Sequence, residues 1–243
     1  MKALNHFVCI FQIQFLRSSG RLVFFSIIQI LISLGIVIGF TYLLPDQNKD
    51  SILYLATGAP TLIMVTTGLV LLPQQIGNAK SEGFIDFMRT WPVKRASILI
   101  TDTFIWLALM IPAIAIGALC AHWIFQPGYD ISWTVIPAIL LIALTCIGIG
   151  YGFSYALSPS NSLMLSQLIV FGALMFSPIN FPIERLPEWL QLLHSILPLH
   201  SMAEVMRASL AASSFTTSAG HYINLLIWSI IGYGGAILIL NRK

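Results

Sequence analysis

The chain has 243 residues, 57% of them hydrophobic and only 9% charged, with a mean hydropathy of +0.87 and a formal net charge of +3. Soluble domains carry roughly 25% charged residues, so this composition excludes a solvated globular surface, and continuously apolar runs exclude the dyad alternation of a transmembrane β-barrel. The basic residues are scattered at the ends of apolar runs, which argues against a nucleic-acid partner. What remains is an all-α polytopic membrane protein. Its runs of about twenty apolar residues can each cross a ~30 Å hydrocarbon layer at ~1.5 Å per residue.

Residues 1–21 carry Leu4, Phe7, Val8, Phe11 and Phe15 at three- and four-residue steps, ahead of a polar end from Arg17 to Arg21. This pattern predicts a helix lying in the membrane interface, with an early start of the first span as the alternative. The apolar run that follows is longer than a signal h-region and lacks a small-residue exit, so no cleaved signal is expected. Spans are predicted at 22–44, stopped by Pro45 and Asp46, then at 51–72, 98–122, 133–157, 162–177 and 222–240. Six spans put both termini on one side. With that side cytoplasmic, nine basic residues lie inside (Lys2, Arg17, Arg21, Lys80, Arg89, Lys94, Arg95, Arg242, Lys243) and three outside (Lys49, Arg185, Arg207), as the positive-inside rule requires. Pro112 and Pro137 are expected to kink their spans. The pairs Gly35/Gly39 and Gly148/Gly152 have the spacing of close helix contacts. Cys9, Cys120 and Cys146 form no CxxC pair and read as buried thiols rather than a disulfide or metal site.

Residues 74–96 form the most charged loop on the cytoplasmic side. Pro73 is expected to end the second span, and residues 81–90 read as a short helix with Ser81 as N-cap and Glu82 and Asp86 in its early turns. Phe84, Phe87, Met88 and Trp91 make an apolar stripe, Lys80 and Arg89 add charge, and Pro92 closes the helix before Lys94 and Arg95. Two readings stand: an interfacial connector, or a helix offered to a partner's groove. Asp102, one turn into the third span, is expected at headgroup level near Lys94 and Arg95.

No phosphate-binding glycine loop, HExxH or GxSxG occurs in the chain. His6, His122, His194, His200 and His221 are dispersed and read as interfacial residues rather than metal ligands. The spans lack the buried carboxylates of an ion-coupled transporter, so energy for any uphill transport comes from another polypeptide. Ser26, Gln29, Ser33, Thr66, Thr67 and Gln167 are the polar groups available to line a path for an amphipathic compound.

The segment 178–220, on the outer side, contains Pro178, Pro182, Pro187 and Pro198, which divide it into short helices over 186–197 and 199–212, each too short to span. Trp189 and His194 suit the headgroup belt. Glu204 and Arg207 lie one turn apart; as an exposed pair they would add only ~0.2–0.5 kcal/mol, so Arg207 is expected to orient the second helix rather than to stabilise it.

Two stretches carry a family resemblance. The first is SEGFIDFMRTWPVKR at 81–95. The second is SPINFP at 177–182, LPEWL at 186–190 and PLHS at 198–201, with Arg207 six residues on. They resemble the ABC-2 type permeases, the membrane subunits of ATP-binding-cassette exporters; Phe176 is bulkier than the small aliphatic residue usual before Ser177. The resemblance implies one transmembrane domain over 1–243, six spans with an interfacial N-terminal helix, a cytoplasmic coupling helix and short extracellular re-entrant helices before the last span. It implies a second permease chain, identical or related, and a separate ATP-binding-cassette ATPase. Glu82, Gly83, Phe84, Asp86, Phe87, Arg89 and Pro92 would couple to that ATPase, with 158–161 as a smaller contact, and Pro178, Pro182, Pro187, Pro198 and Arg207 would build an exit cap. The implied function is ATP-driven export of a hydrophobic or amphipathic compound (drug, antibiotic or lipid-like) across a bacterial plasma membrane. Catalytic residues, cofactor and metal are not expected on this chain. Two other readings remain at this stage: a membrane-embedded enzyme using Glu184, Glu188, His194, His200 and Glu204 for acid–base work, and a structural or immunity-type protein without an ATPase.

Overall fold

The computed structural model describes residues 2–39, 42, 49–91 and 93–241. Pro45, Asp46, Pro92, Arg242 and Lys243 lie outside these residues. Among the described residues the chain is all helical, with no strand and one isolated parallel bridge, between Asp130 and Ala211. Five helical stretches are long and apolar enough to cross a membrane: Ser51–Ser81, Arg95–Phe125, Val135–Ala156, Pro159–Phe176 and Ala219–Asn241.

The first helix, α1, runs unbroken over Lys2–Leu34 and passes into a π-helical turn, Gly35–Gly39. The expected division between an interfacial helix at 1–21 and a span from residue 22 is therefore absent from the helix itself. Nothing in Arg17–Arg21 can end a helix: no proline is present, and Gly20 costs only ~1 kcal/mol against alanine. Within α1 the apolar portion is Phe24–Leu34, shorter than the five long stretches.

A single rod follows, made of α2 (Lys49–Thr66), a π-helical turn (Thr67–Leu71) and α3 (Leu72–Ser81). Pro73 does not end it. The π turn just upstream, in which the Leu72 N–H bonds the Thr67 carbonyl five residues back, is compatible with a residue that lacks an N–H and whose ring crowds the carbonyl four residues back. A short helix α4 (Phe84–Arg89) leads to α5 (Arg95–Phe125), which holds Pro112 in its interior. Then come α6 (Val135–Ala156) and α7 (Pro159–Phe176). Pro137 falls in the first turn of α6, where its missing N–H costs no helical bond, so it is not a mid-span kink. A 3-10 turn (Ile183–Arg185) precedes α8 (Glu188–Ile196) and α9 (Pro198–Leu210), and α10 (Ala219–Asn241) closes the fold.

The rod is the centre of the bundle. Its apolar stretch is 89% buried within the chain, against 17% for α7 and 22% for α10, which present most of their surface outward. Close approach is achieved with glycine. A Cβ on Gly68 would collide with Cys146, and one on Gly150 with the Gly68 carbonyl, so α6 and the rod touch through their main chains. On the other face of α6, Gly148 and Gly152 meet Gly232 of α10, which makes the Gly148/Gly152 spacing a helix contact. Gly35 and Gly39 have no neighbour within 4 Å of a Cβ position.

Several polar groups expected to line a path are used up inside the bundle instead. Gln29 Nε2 donates to Thr67 Oγ1 and to the Ile63 carbonyl (3.4 Å), and Thr67 Oγ1 donates to the same carbonyl (2.8 Å). Ser33 Oγ donates to the Ala113 carbonyl at 3.2 Å, tying α1 to α5. Giving the Gln29 amide N–H, the Thr67 hydroxyl and the Ser33 hydroxyl internal acceptors offsets the cost of burying these donors in an apolar interior.

Candidate functional site

At one end of the rod the chain turns through an elbow. The turn is set by Gly83, whose φ of +72° is left-handed; with the Gly83 N–H on the Lys80 carbonyl (3.0 Å) and the Glu82 N–H on Asn78 (2.9 Å), α3 ends as glycine-terminated helices do. Ser81 is the last residue of α3, its Oγ bonded to the Gly77 carbonyl at 3.1 Å, so it does not cap the short helix as expected. That role passes to Gly83, without a side-chain bond.

The six-residue α4 is too short to be stable alone. It holds because Ile85 and Met88 are buried against the bundle, 5% and 7% exposed, contacts worth roughly 1.5–3 kcal/mol each when complete. Arg95, at the start of α5, donates through Nη1 to the Met88 carbonyl (3.0 Å) and through Nη2 to that of Arg89. These are terminal carbonyls left over by α4. Phe84, Phe87 and Trp91 pack on one another with ring centroids 5.8–6.2 Å apart, edge-to-face in two pairs. Outward from this platform stand Glu82, Asp86, Phe87 and Arg89, all exposed. Asp86 and Arg89 pair at 3.0 Å in full view of solvent, so the pair adds little stability.

The elbow is stitched to a second turn. Lys80 Nζ donates to the carbonyls of Ser154 (2.7 Å), Tyr155 (3.0 Å) and Leu157 (2.7 Å), capping the end of α6. Beyond that turn Ser158 caps α7 by accepting the Asn161 N–H at 3.4 Å, and Pro159 lies against Gly77 of α3. Residues 158–161 thus sit beside the elbow. Asp102 is turned into the bundle rather than toward Lys94 and Arg95: its Oδ2 accepts from Tyr151 (2.8 Å) and Trp106 Nε1 (3.2 Å).

At the opposite end of the rod, the prolines partition the segment after α7. Pro182 opens the 3-10 turn, Pro187 precedes α8, and Pro198 is the first residue of α9. Pro178 and Pro198 are buried, Pro187 is exposed, and Pro182 is intermediate. Both helices are short, as expected, but α9 is no surface element: Met202, Ala203, Val205 and Met206 are all 0% exposed. Its last turn meets the α5–α6 connection, where Asp130 bonds Leu210 (3.1 Å) and Ala212 (3.0 Å) through the main chain.

Arg207 overturns the expectation of an exposed pair. Its side chain is fully buried. Nη1 donates to Glu204 Oε1 at 2.7 Å, Nη2 donates to the carbonyls of Pro178 (3.2 Å) and Ile179, and the guanidinium lies 3.6 Å above the Tyr54 ring. Tyr54 in turn donates to the Phe181 carbonyl at 3.1 Å, and Gly58 leaves room for the Ile179 carbonyl against α2. One planar cation therefore joins α9, residues 178–179 and the start of the rod, geometry that suits arginine and not lysine. Burial lowers its pKa, opposed by Glu204; arginine starts high enough to remain charged.

The structure brings Glu82, Gly83, Phe84, Asp86, Phe87 and Arg89 together at the elbow, and Arg207 together with Pro178 at the far end. Ile85, Lys80, Arg95 and Tyr54 are the residues that sequence reasoning missed. The Ile85/Met88 pair at i,i+3 was a readable signal, masked by the louder aromatic stripe. Among the described residues no group of three His, Cys, Asp or Glu is placed to hold a metal. Of the carboxylates and histidines weighed for an enzyme, Glu204 is used on Arg207.

The model of the ABC-2 type transporter family matches residues 7–211. That span takes in the elbow and runs through α9 to the residue after its end. No curated protein sequence matches the chain.

Proposed function

The chain belongs to the ABC-2 type transporter family, and from that premise we propose that it is the permease subunit of an exporter, pairing with a second permease chain and driven by a separate ATP-binding-cassette ATPase. Family membership makes it a transport subunit of a membrane complex with such an ATPase, not itself an enzyme. In our reading a sixth span lies at 22–44, both termini are cytoplasmic, α4 is the coupling helix, and the hairpin of α8 and α9 re-enters the outer leaflet as an exit cap. The carried compound is hydrophobic or amphipathic.

The observation that carries this reading is the build of the elbow. Its inner face is anchored by Ile85, Met88 and Arg95, while Asp86, Phe87 and Arg89 are left exposed on a short helix joined through the Gly83 turn to the rod at the centre of the bundle. A partner that moves α4 moves the core. ATP binding biases the permease only through contacts that differ between two states, and this exposed surface is where such contacts are available.

The test is co-reconstitution of the permease with its ATPase in liposomes, scoring ATP hydrolysis and export. Phe87→Asp, which alters an exposed side chain, is expected to cut substrate-stimulated ATP hydrolysis about tenfold while the permease stays folded. Full export by the permease without any ATPase, or unimpaired coupling in Phe87→Asp, would overturn the proposal.

A further inference from the structure

The corner between α8 and α9 is held to the start of α10 by one stripe of side chains. His221, Asn224 and Trp228 lie at i, i+3 and i+7 on α10 and so share a face. Asn224 Nδ2 donates to the carbonyls of Ser195 and Ile196, both at 3.2 Å, and Trp228 Nε1 donates to the Ile196 carbonyl at 3.0 Å. These bonds fix the end of α8. The start of α9 is held differently: His221 Nδ1 meets Ser201 Oγ at 3.1 Å, and its ring stands edge-to-face on that of His200 with centroids 5.3 Å apart. Asparagine and tryptophan do not ionise, whereas imidazole is the side chain that changes charge at mildly acidic pH.

Both rings sit in the first turn of a helix, His200 in α9 and His221 in α10, where a positive charge meets the positive end of the macrodipole. Both are half-buried, so protons can reach them. The surroundings of His200 decide what a proton does there. Burial lowers its pKa; Glu204, one turn on along α9, pulls it up, while His221 on α10, Arg207 on α9 and the buried His194 on α8 push it further down. From α2 and α6, Tyr54 and Cys146 reach α9 at Arg207 and Met202. Glu204 is already bonded to Arg207 at 2.7 Å, so the carboxylate acting on His200 is shared with a permanent cation. The folded chain therefore prefers a neutral His200 ring. Such a contact is at full strength above the ordinary histidine pKa of about 6.5 and is lost as the pH falls below it, because the released state binds more protons.

We propose that His200 and His221 form an acid-released latch: neutral, they lock the start of α9 onto α10, and doubly protonated, they repel and free α9 while Asn224 and Trp228 keep α8 in place. The latch is a property of this chain alone and depends neither on the coupling role of α4 nor on the side of the membrane it faces. With this end outward, as proposed above, it makes the cap sensitive to external acid.

The experiment is amide hydrogen exchange of the full chain in phosphatidylcholine nanodiscs at about pH 7.5 and about pH 5, above and below the histidine range, with labelling times scaled to match the chemical exchange rates. In acid, residues 201–206 are expected to exchange at least about tenfold faster, as two like charges at this spacing near a protein surface allow. Residues 188–196 and 84–91 are expected to be unchanged. His200→Phe keeps the ring contact and cannot charge; His221→Asn keeps a polar group toward Ser201 and cannot charge. Each is expected to exchange alike at the two pH values, gel filtration checks that it is folded, and either one alone decides the matter. No acceleration at 201–206 in the wild type, or an acceleration that survives in a folded variant, would overturn the proposal. So would equal acceleration at 84–91, which marks general acid unfolding and not a latch.

Discussion

The elbow and the hairpin are both made of short helices that interrupt a bundle of long ones, and both use a basic side chain to hold main-chain carbonyls. They differ in what is left outside. At the elbow Arg95 and Lys80 grip from behind, and the charged face of α4 is exposed. At the hairpin Arg207 is swallowed whole, with α9 packed around it. The same chemistry thus yields a handle at one end and a rivet at the other. A handle must expose the groups that a partner reads, whereas a rivet must bury the groups that would otherwise compete for water.

Breaking the rivet should have the largest effect. Arg207→Ala strands Glu204 and the carbonyls of Pro178 and Ile179, and removing one member of a buried ionic network costs about 3–5 kcal/mol; the expected result is loss of monodisperse protein in gel filtration. Arg207→Lys keeps the charge and loses the fork, so its thermal midpoint should fall between those of the wild type and the alanine variant. The handle should respond differently. Phe87→Asp is expected to lower the thermal midpoint only slightly, through loss of its ring contacts with Phe84 and Trp91, and to cut substrate-stimulated ATP hydrolysis about tenfold, the effect of losing one modest interface contact. Arg95→Ala tests whether the grip matters apart from the contact surface. It should cost ~1 kcal/mol and speed amide exchange across 84–91, with basal ATP hydrolysis retained. Smallest of all, Asp86→Asn removes only an exposed ion pair, and a stability change above ~0.5 kcal/mol would be a surprise.

Much of this architecture was legible because apolar runs, prolines and a helix-ending glycine act locally. The long apolar runs predicted the five long stretches to within a few residues at most ends, and Pro182, Pro187 and Pro198 divided the hairpin segment where the structure divides it. Pro73 misled because a π turn five residues long absorbs it, and nothing in Thr67–Leu71 announces that pitch. Arg207 misled for a different reason: Glu204 at i−3 looks the same whether the pair is exposed or buried, and its other acceptors are carbonyls 28 and 29 residues away. Long-range main-chain acceptors have no residue type, so no pattern of side chains can point to them. His194 illustrates the same limit, since an imidazole at an apolar boundary reads as interfacial until the walls around it are known.

The grip of Lys80 and Arg95 has a consequence for genetics. Their recorded hydrogen bonds go to backbone carbonyls of Ser154, Tyr155, Leu157, Met88 and Arg89, and every amino acid supplies a backbone carbonyl. Substituting those five positions leaves the acceptors in place, so what limits the side chains there is their own packing, as for the buried Met88 and Tyr155, and not the grip. The converse is that a defect in either cation has no reciprocal charge reversal to rescue it. Suppressors of Lys80 or Arg95 variants are therefore expected to arise by restoring a donor at the same position, not by changing a partner.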